Sequence, residues 1–304
     1  MSNIIEKHRD FINKYLNVYF NDKGSYNKII YDSASYSLNI GGKRIRPILF
    51  LLTYGLYKEN YKDVIEMASA IEMIHTYSLI HDDLPCMDND DLRRGMPTNH
   101  KKFGENIAVL AGDMLLNEAM SLMMKFSIKN GAKALLASRE IAEAAGPEGM
   151  IGGQVVDIIN EGMIGGQIVD VINEGKLISK EELLYMHSKK TGELIRVSII
   201  AAAILADAPK KDIEILNDFG LKLGLAFQIK DDILDITGDI SKLGKNTKSD
   251  ENNNKSNFIS LFGLEYCERE CENLTKECIE LLKGLSVESI NLQTITLDLL
   301  NRES

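Results

Sequence analysis

Residues 62–81 read KDVIEMASAIEMIHTYSLIH, and residues 81–95 continue as HDDLPCMDNDDLRRG. In the first stretch, apolar residues recur three and four positions apart, at Val64, Met67, Ala68, Ile71 and Ile74. That spacing predicts an α-helix with one apolar face. The helix therefore leads directly into a short segment crowded with aspartates.

The same helical periodicity runs through five other parts of the chain: residues 105–127, 132–145, 180–206, 211–236 and 257–283. No stretch shows sustained alternation of apolar and polar residues bounded by turn pairs, so we expect no β-sheet. Long helices with broad apolar faces pack against one another and build their sites between facing helices. We therefore expect an all-α protein with a single domain over residues 1–304.

The composition excludes several classes of protein. With 35 basic and 45 acidic side chains, the 304-residue chain has a formal charge of −10, which argues against nucleic-acid binding. The longest uncharged apolar runs, Pro47–Tyr57 and Val197–Ala206, are shorter than the ~20 residues of a membrane-spanning helix. The N-terminus is charged where a signal peptide would be apolar. With four cysteines and no sign of secretion, we expect reduced thiols and a cytoplasmic protein.

A tandem duplication interrupts the pattern. Residues 150–162, MIGGQVVDIINEG, are followed at once by residues 163–175, MIGGQIVDVINEG, and 11 of the 13 positions match. In one straight helix, 13 residues turn through about 220° beyond three full turns, so the two copies face nearly opposite ways. One copy can serve a site while the other is displaced. The Gly-Pro-Glu-Gly sequence before residue 150 favours the first copy as the one that serves the site. The shorter distance along the chain to Lys190 favours the second copy.

The segment after residue 81 carries the strongest chemical signal. Residues 82–91, the first Asp-rich motif, contain five aspartates: Asp82, Asp83, Asp88, Asp90 and Asp91. Carboxylate oxygens without nearby thiolates suit Mg²⁺, which binds a few carboxylates together with phosphate oxygens. The arginines that follow, Arg93 and Arg94, offer forked donors for phosphate. The alternative for this stretch alone is an acidic loop that caps a helix.

A second acidic cluster makes that alternative weaker. Residues 231–235, the second Asp-rich motif, read DDILD and follow Phe227 and Gln228. Asp231 and Asp235 are four positions apart and share one helix face, where like charges among apolar neighbours need a cation. Two such clusters suggest opposed walls of one cavity that holds metal ions around a polyanion.

Basic residues occur at three places along the chain. Gly41-Gly42 precedes Lys43, Arg44 and Arg46; Lys189-Lys190-Thr191-Gly192 lies within a helical pattern; and Lys245 and Lys255 follow the second Asp-rich motif. The first group lacks the spacing of a Walker A loop. Taken alone it would be a solvated basic turn. Together with the acidic clusters, these residues predict a receptor for phosphates and Mg²⁺, or Mn²⁺ in its place.

On these motifs the chain resembles the trans-isoprenyl diphosphate synthase (polyprenyl synthetase) family. The matching segments, in the order in which the family has them, are GGKRIRP, DDxxxxD with RRG, GMxGGQxxD, HxxKTG, FQxxDDxxD and LGK…SD. They cover nearly the whole chain. The resemblance implies the isoprenoid synthase fold, with helices around a large central cavity, and a homodimer. The duplication departs from the family, which has GMxGGQxxD once.

The resemblance also implies roles for individual residues. The expected metal ligands are Asp82, Asp83, Asp88, Asp231, Asp232 and Asp235. The expected contacts of the allylic diphosphate are Arg93, Lys190, Gln228, Lys245 and Lys255, with Thr191 beside the cationic centre. Isopentenyl diphosphate would be held by Lys43, Arg46, His75 and Arg94. Of these residues, Asp82, Asp83, Asp88, Arg93, Lys190, Thr191 and Asp231 are the expected catalytic group. Without the resemblance, His75 would be an ordinary packed histidine.

The implied reaction joins isopentenyl diphosphate head-to-tail to dimethylallyl and geranyl diphosphate. Tyr77 lies five residues before Asp82, about 7.5 Å along a helix axis, and an aromatic residue there accompanies short products in the family. We therefore expect farnesyl diphosphate as product; geranylgeranyl diphosphate or another short-chain product is the alternative. A class I terpene cyclase would not need the second diphosphate site formed by Lys43 and Arg46. A second alternative, a non-enzymatic regulatory subunit, would be expected to lack the Asp-rich motifs. A third, a metal-binding helical bundle, would release no diphosphate.

Overall fold

The computed structural model describes residues 3–165, 179–237 and 258–302. Fourteen α-helices lie in these ranges. The first eight are α1 (Asn3–Val18), α2 (Lys28–Asn39), α3 (Ile45–Tyr54), α4 (Ile65–Asp82), α5 (Asn99–Phe103), α6 (Glu105–Asn130), α7 (Ala132–Ala145) and α8 (Met150–Gly165). The other six are α9 (Lys180–His187), α10 (Glu193–Leu205), α11 (Lys210–Thr237), α12 (Phe258–Phe262), α13 (Leu264–Lys283) and α14 (Ile290–Leu300). The prediction of an all-α fold is confirmed.

Helix α4 lies at the centre of the described part of the molecule. It packs against α6 and α3, while α10 packs against α3, α7 and α11, and α13 covers α11. Met67, Ile71 and Ile74, three apolar positions of the quoted stretch, are fully buried. Burial of such side chains stabilises each helix contact by about 1.5–3 kcal/mol per residue. The Asp-rich end of α4 is thereby fixed at the edge of a rigid core.

Two helical stretches differ from the sequence pattern. The long pattern over 180–206 contains a single π-helical turn, Ser188–Gly192, which we call the π-turn. The pattern over 257–283 breaks at Gly263, whose φ of 79° ends α12 and permits α13 to begin. π-Helical turns occur mostly as single turns inside α-helices and often at functional sites.

The prediction that the chain has no β-sheet was wrong in one place. Two-residue strands β1 (Leu92–Arg93) and β2 (Met96–Pro97) pair antiparallel. Arg94 and Gly95 connect them with φ values of 55° and 74°, as a tight primed hairpin turn requires. Strands this short give no readable alternation, which explains the miss. The hairpin places Arg93 at the end of its first strand and Arg94 in the turn.

Among the described helices, α6 is long and apolar enough to cross a membrane by length and composition. One side of it packs against α2, α4, α5 and α7, as a core helix does. Its other side leaves apolar side chains exposed, including Leu110 and Ile128.

Candidate active site

A cavity of about 340 Å³ opens where α4 ends, bordered also by α3, α8 and the π-turn. Among the residues that line it are five predicted from the sequence: Arg46, His75, Asp82, Lys190 and Thr191. Apolar side chains of α8 and α4 form much of the remaining wall. The structure therefore brings an acidic residue, three cationic or imidazole groups and a hydroxyl to one apolar cavity.

The first Asp-rich motif folds back on itself. The Asp88 N–H donates to the Asp82 carbonyl oxygen at 2.9 Å. Burial raises the pKa of Asp82 to about 6; Lys190 opposes this rise, whereas the carboxylates of Asp88 and Asp83 add to it. A carboxylate in such surroundings is costly to ionise without a nearby cation. The backbone therefore concentrates negative charge at the mouth of the cavity.

Asp83 has a different environment. It is 3% exposed and accepts hydrogen bonds from Arg93 Nε at 2.9 and 3.2 Å. Arg93 Nη2 also contacts Asp83 and lies 3.2 Å from Asp90 Oδ2. These contacts attach the hairpin to the end of α4. The metal role of Asp83 and the substrate role of Arg93 stay predictions.

Arg94 lies over the glycine turn, residues 41–44. Its Nη1 donates to the Gly41 carbonyl oxygen. A Cβ atom at Gly42, where φ is 129°, would come within 2.6 Å of the Arg94 guanidinium. Glycine at this position thus permits the arginine to lie against the backbone.

Arg94 forms a basic cluster with Lys43, Arg46 and His75. Burial lowers the pKa of Lys43, and it lowers the pKa of Arg46 to about 10, so Arg46 remains charged at neutral pH. Burial, with Arg46 and Arg94 adding to it, lowers the pKa of His75 well below its usual value, so His75 is neutral. Arg46 Nε is buried and has no hydrogen-bond partner within the described ranges. An orphaned donor in a basic cavity suits an anionic ligand.

The π-turn is held by the first copy of the duplicated segment. A Cβ atom on Gly153 would lie 2.1 Å from the Lys190 backbone nitrogen, so only glycine lets α8 approach so closely. Lys190 Nζ donates to Asp157 Oδ2 at 2.5 Å. Burial would lower the pKa of Lys190, but Asp157 and Asp82 more than offset it and raise the pKa. On the opposite side, Gly224 of α11 packs against the π-turn.

A chain of hydrogen bonds links the π-turn to α11 and α12. Thr191 Oγ1 donates to Gln228 Oε1 at 3.1 Å, and Gln228 Nε2 donates to Asp232 Oδ1 at 2.9 Å. Asp232 Oδ2 accepts the Phe258 N–H at 2.9 Å. These contacts orient Thr191 and Gln228 beside the cavity. Asp232 is 4% exposed, and its predicted metal role stays a prediction.

The other two aspartates of the second Asp-rich motif, Asp231 and Asp235, are half-buried. Asp231 Oδ1 accepts a hydrogen bond from Arg302, whose guanidinium lies 4.2 Å from the centre of the Phe227 ring. The charge of Asp231 also acts on Lys43 and Arg46, which connects this motif electrostatically to the basic cluster. No role for Arg302 was predicted from the sequence. Because 71 residues separate it from Asp231, no local spacing could have indicated the contact.

Some predicted residues cannot be placed. Lys245 and Lys255 lie outside the described residues, as do Gln167 and Asp170 of the second copy. The first copy supplies Gln154 and Asp157 beside the cavity and the π-turn, where the sequence analysis favoured it.

The donor set fits Mg²⁺. Within the described residues, no group of three His, Cys, Asp or Glu side chains forms a ready-made metal cage. Mg²⁺ is bound by one or two carboxylates together with water and phosphate oxygens, so such a cage is not required. The raised pKa of Asp82 and the orphaned donors Arg46 Nε and Gln154 Nε2 fit a cation and a polyanion bound together.

The helical fold and this cavity define the class of α-helical isoprenoid synthases. The Polyprenyl synthetase family model matches residues 27–292, and the chain belongs to that family. It is 47% identical over 258 residues to a farnesyl diphosphate synthase of Bacillus subtilis, covering 84% of this chain and 83% of the relative. It is 41% identical over 287 residues to a farnesyl diphosphate synthase of Micrococcus luteus, covering 94% of each.

A solved structure from Helicobacter pylori, a geranyltransferase complexed with magnesium and isoprenyl diphosphate, has a TM-score of 0.80 to this chain. The two are 31% identical, and the match covers 99% of this chain and 97% of the other. The resemblance found in the sequence motifs is thereby confirmed.

Gly153→Ala should lower prenyl transfer by about a hundredfold, because displacing the π-turn by about 1 Å moves Lys190 and Thr191 off their positions. The measurement is steady-state turnover beside circular dichroism of the folded state. Gly192→Ala is the matched control, since its Cβ atom would make only an ordinary 3.6 Å contact. Equal activity of the two variants would contradict the close-approach argument.

Proposed function

We propose that this protein makes farnesyl diphosphate from isopentenyl diphosphate and the allylic substrates dimethylallyl and geranyl diphosphate. The observation that carries the proposal is the cavity, with Asp82 and Lys190 at one end and Tyr77 in its wall on the same helix as Asp82. The geranylgeranyl synthases among its relatives are less similar to this chain than the Bacillus subtilis farnesyl diphosphate synthase. The alternative of a longer product is therefore not favoured.

The first Asp-rich motif and Asp231 with Asp235 would hold Mg²⁺. When bound, Mg²⁺ neutralises charge on the departing diphosphate and so favours ionisation of the allylic C–O bond. Lys190, held by Asp157, adds a fixed positive charge on the same side. Mn²⁺ is a possible substitute because it accepts the same oxygen ligands.

Side chains of the protein would bind the second substrate and surround the allylic cation. The basic cluster would hold isopentenyl diphosphate, and the neutral His75 can donate a hydrogen bond to it. Ile151, Val155 and Ile158 give the cavity an apolar wall beside which the allylic cation would lie. The Thr191 hydroxyl is oriented toward that space by Gln228. The proton lost in the condensation would go to the released diphosphate.

Turnover should require Mg²⁺, and Asp82→Ala or Asp231→Ala should each lower it by at least about a hundredfold, the usual cost of removing stabilisation of developing charge. The assay is product formation with and without EDTA. Glu277→Ala, which removes an exposed carboxylate paired with Lys222, serves as control. Near-normal activity of either aspartate variant, or of the EDTA-treated enzyme, would contradict the metal role.

Tyr77 should set the product length. It is 6% exposed, and Ile74 and Ile71, one and two turns further along α4, are fully buried beneath it. Tyr77→Ala should open this space and shift the product from farnesyl to geranylgeranyl diphosphate or longer, as read by chromatography of the hydrolysed products. The Tyr77 hydroxyl has no hydrogen-bond partner in the described part of the chain, so Tyr77→Phe should keep farnesyl diphosphate as product. If the alanine variant still stopped at farnesyl diphosphate, Tyr77 would not be the floor that stops growth of the prenyl chain.

We further propose a homodimer, in a single-domain cytoplasmic enzyme. The exposed side of α6 and α7 carries Leu110, Met124, Ile128 and Leu135, which are 54%, 57%, 86% and 60% exposed. Large apolar side chains exposed on the outer side of packed helices fit an interaction surface, and a symmetric dimer would cover this surface on both copies. The four cysteines are free thiols, which fits a reducing compartment.

Light scattering should give twice 34.0 kDa for the native protein. Met124→Lys combined with Ile128→Lys should give a monomer, because charges on this face cannot be buried without partners. Ile290→Lys, which changes a 64% exposed residue of α14, should remain dimeric. A native monomer would contradict the proposed dimer.

A further inference from the structure

A buried ion pair lies directly behind the basic cluster. Arg44 Nη1 donates to Glu72 Oε1 at 2.7 Å, and the two side chains are 1% and 3% exposed. Removing two charges from water costs several kcal/mol per ion, so such a pair is weak evidence for stability alone. Arg44 belongs to the first basic group of the sequence, but the family resemblance assigns a substrate contact to neither residue. The contacts of Arg44 and Glu72 indicate a different role for the pair.

The guanidinium of Arg44 joins three helices. Its Nε donates to Asn13 Oδ1 of α1 at 2.9 Å, its Nη2 donates to the Leu38 carbonyl oxygen of α2 at 2.6 Å, and its third contact is Glu72 of α4. Arg44 itself precedes α3 in a left-handed conformation, with φ at 51°. That conformation is disfavoured for a residue with a side chain and persists only where the surroundings enforce it.

The same pair sets the geometry of the phosphate-binding groups. Arg44 is the last residue of the glycine turn, so fixing it fixes Lys43 before it and Arg46 on the first turn of α3. The carbonyl oxygen of Gly41, in the same turn, receives Arg94. Glu72 lies one helical turn before His75 on α4, so the two share a face.

The negative charge of Glu72 also offsets the repulsion among the positive charges of the basic cluster. Lys43, Arg46 and Arg94 are mutually repelling groups in a low-dielectric cavity. Burial lowers the pKa of Arg46 and of Arg94, and for both groups Glu72 is the main charge that opposes this lowering. Arg46 Nε nevertheless keeps no protein partner among the described residues and remains available to a ligand.

We propose that Arg44 and Glu72 are positioning residues for the isopentenyl diphosphate subsite: they never touch the substrate, but they hold Lys43, Arg46 and Arg94 in one phosphate-binding arrangement. The inference rests on the proposed function, because it assigns the basic cluster to the second substrate. It predicts a selective defect. Loss of the pair should weaken binding of isopentenyl diphosphate and leave the allylic substrate, which Lys190 and the Asp-rich motifs contact, almost unaffected.

The test replaces both partners at once, Arg44→Met together with Glu72→Met. Exchanging a whole buried ion pair for apolar side chains of similar size often leaves stability unchanged, whereas Glu72→Gln alone leaves a buried unpaired guanidinium and endangers folding. The expected result is a rise of about tenfold in the KM for isopentenyl diphosphate, equivalent to about 1.4 kcal/mol. The KM for geranyl diphosphate and kcat should change by less than about twofold. Thermal unfolding verifies that the variant is folded.

Arg44→Lys is the second variant, and it tests the positioning role of Arg44 even if the double variant does not fold. Lysine keeps the charge opposite Glu72 but cannot make the forked contacts to Asn13 and Leu38, so the same KM should rise by a smaller factor. Tyr57→Phe is the control for a purely structural loss. It removes a hydrogen bond to buried Asp212, 2.9 Å long, between α11 and the residues that follow α3. It should lower the unfolding temperature without changing either KM.

The possible results distinguish a failure of the positioning role from a failure of the proposed function. If the native protein forms no farnesyl diphosphate, the proposed function fails. If the native protein is active and a folded Arg44 variant keeps the native KM for isopentenyl diphosphate, the positioning role alone is overturned. Equal increases in both KM values would likewise overturn it, because a general loosening of the fold would then explain the defect.

Discussion

Like charges held close together at the edge of an apolar cavity are the constraint on which this molecule depends. Asp82, Asp83 and Asp88 crowd the end of α4, while Arg46 and Arg94 lie near His75. In a low-dielectric site such groups repel strongly unless opposite charges are fixed among them. The fold supplies these as individual buried partners: Arg93 for Asp83, Asp157 for Lys190 and Glu72 for the arginines. What remains unbalanced, Asp82 above all, faces the space where substrate and metal would bind.

Periodicity and spacing predicted much of this from the sequence. The helix over 62–81 was recognised because Met67, Ile71 and Ile74 repeat at helical intervals, and they are the residues that the structure buries completely. The two Asp-rich motifs were recognised because local repulsion is visible along the chain. Contacts between distant residues left no such trace. Glu72 looks like any polar residue on an apolar helix until Arg44 is seen to pair with it.

The π-turn shows a second limit of sequence reasoning. Gly192 follows Lys190 and Thr191 in the sequence, but the glycines that permit close packing against this turn lie on other helices. Gly153 and Gly224 remove the side chains that would otherwise hold α8 and α11 away from this turn. This close packing depends on α8, α11 and the π-turn together. It brings the Thr191 hydroxyl within reach of Gln228, and through it to Asp232.

The duplication is compatible with this architecture for a geometric reason. Helix α8 continues past residue 162 into the second copy, ending at Gly165. A repeat of 11 residues, close to three whole turns, would present a second glycine and a second aspartate on the same face. The actual repeat of 13 residues rotates the second copy by about 220° beyond three turns, so it cannot compete for the π-turn from the same straight helix. Gly153 and Asp157 of the first copy are the residues that contact Lys190.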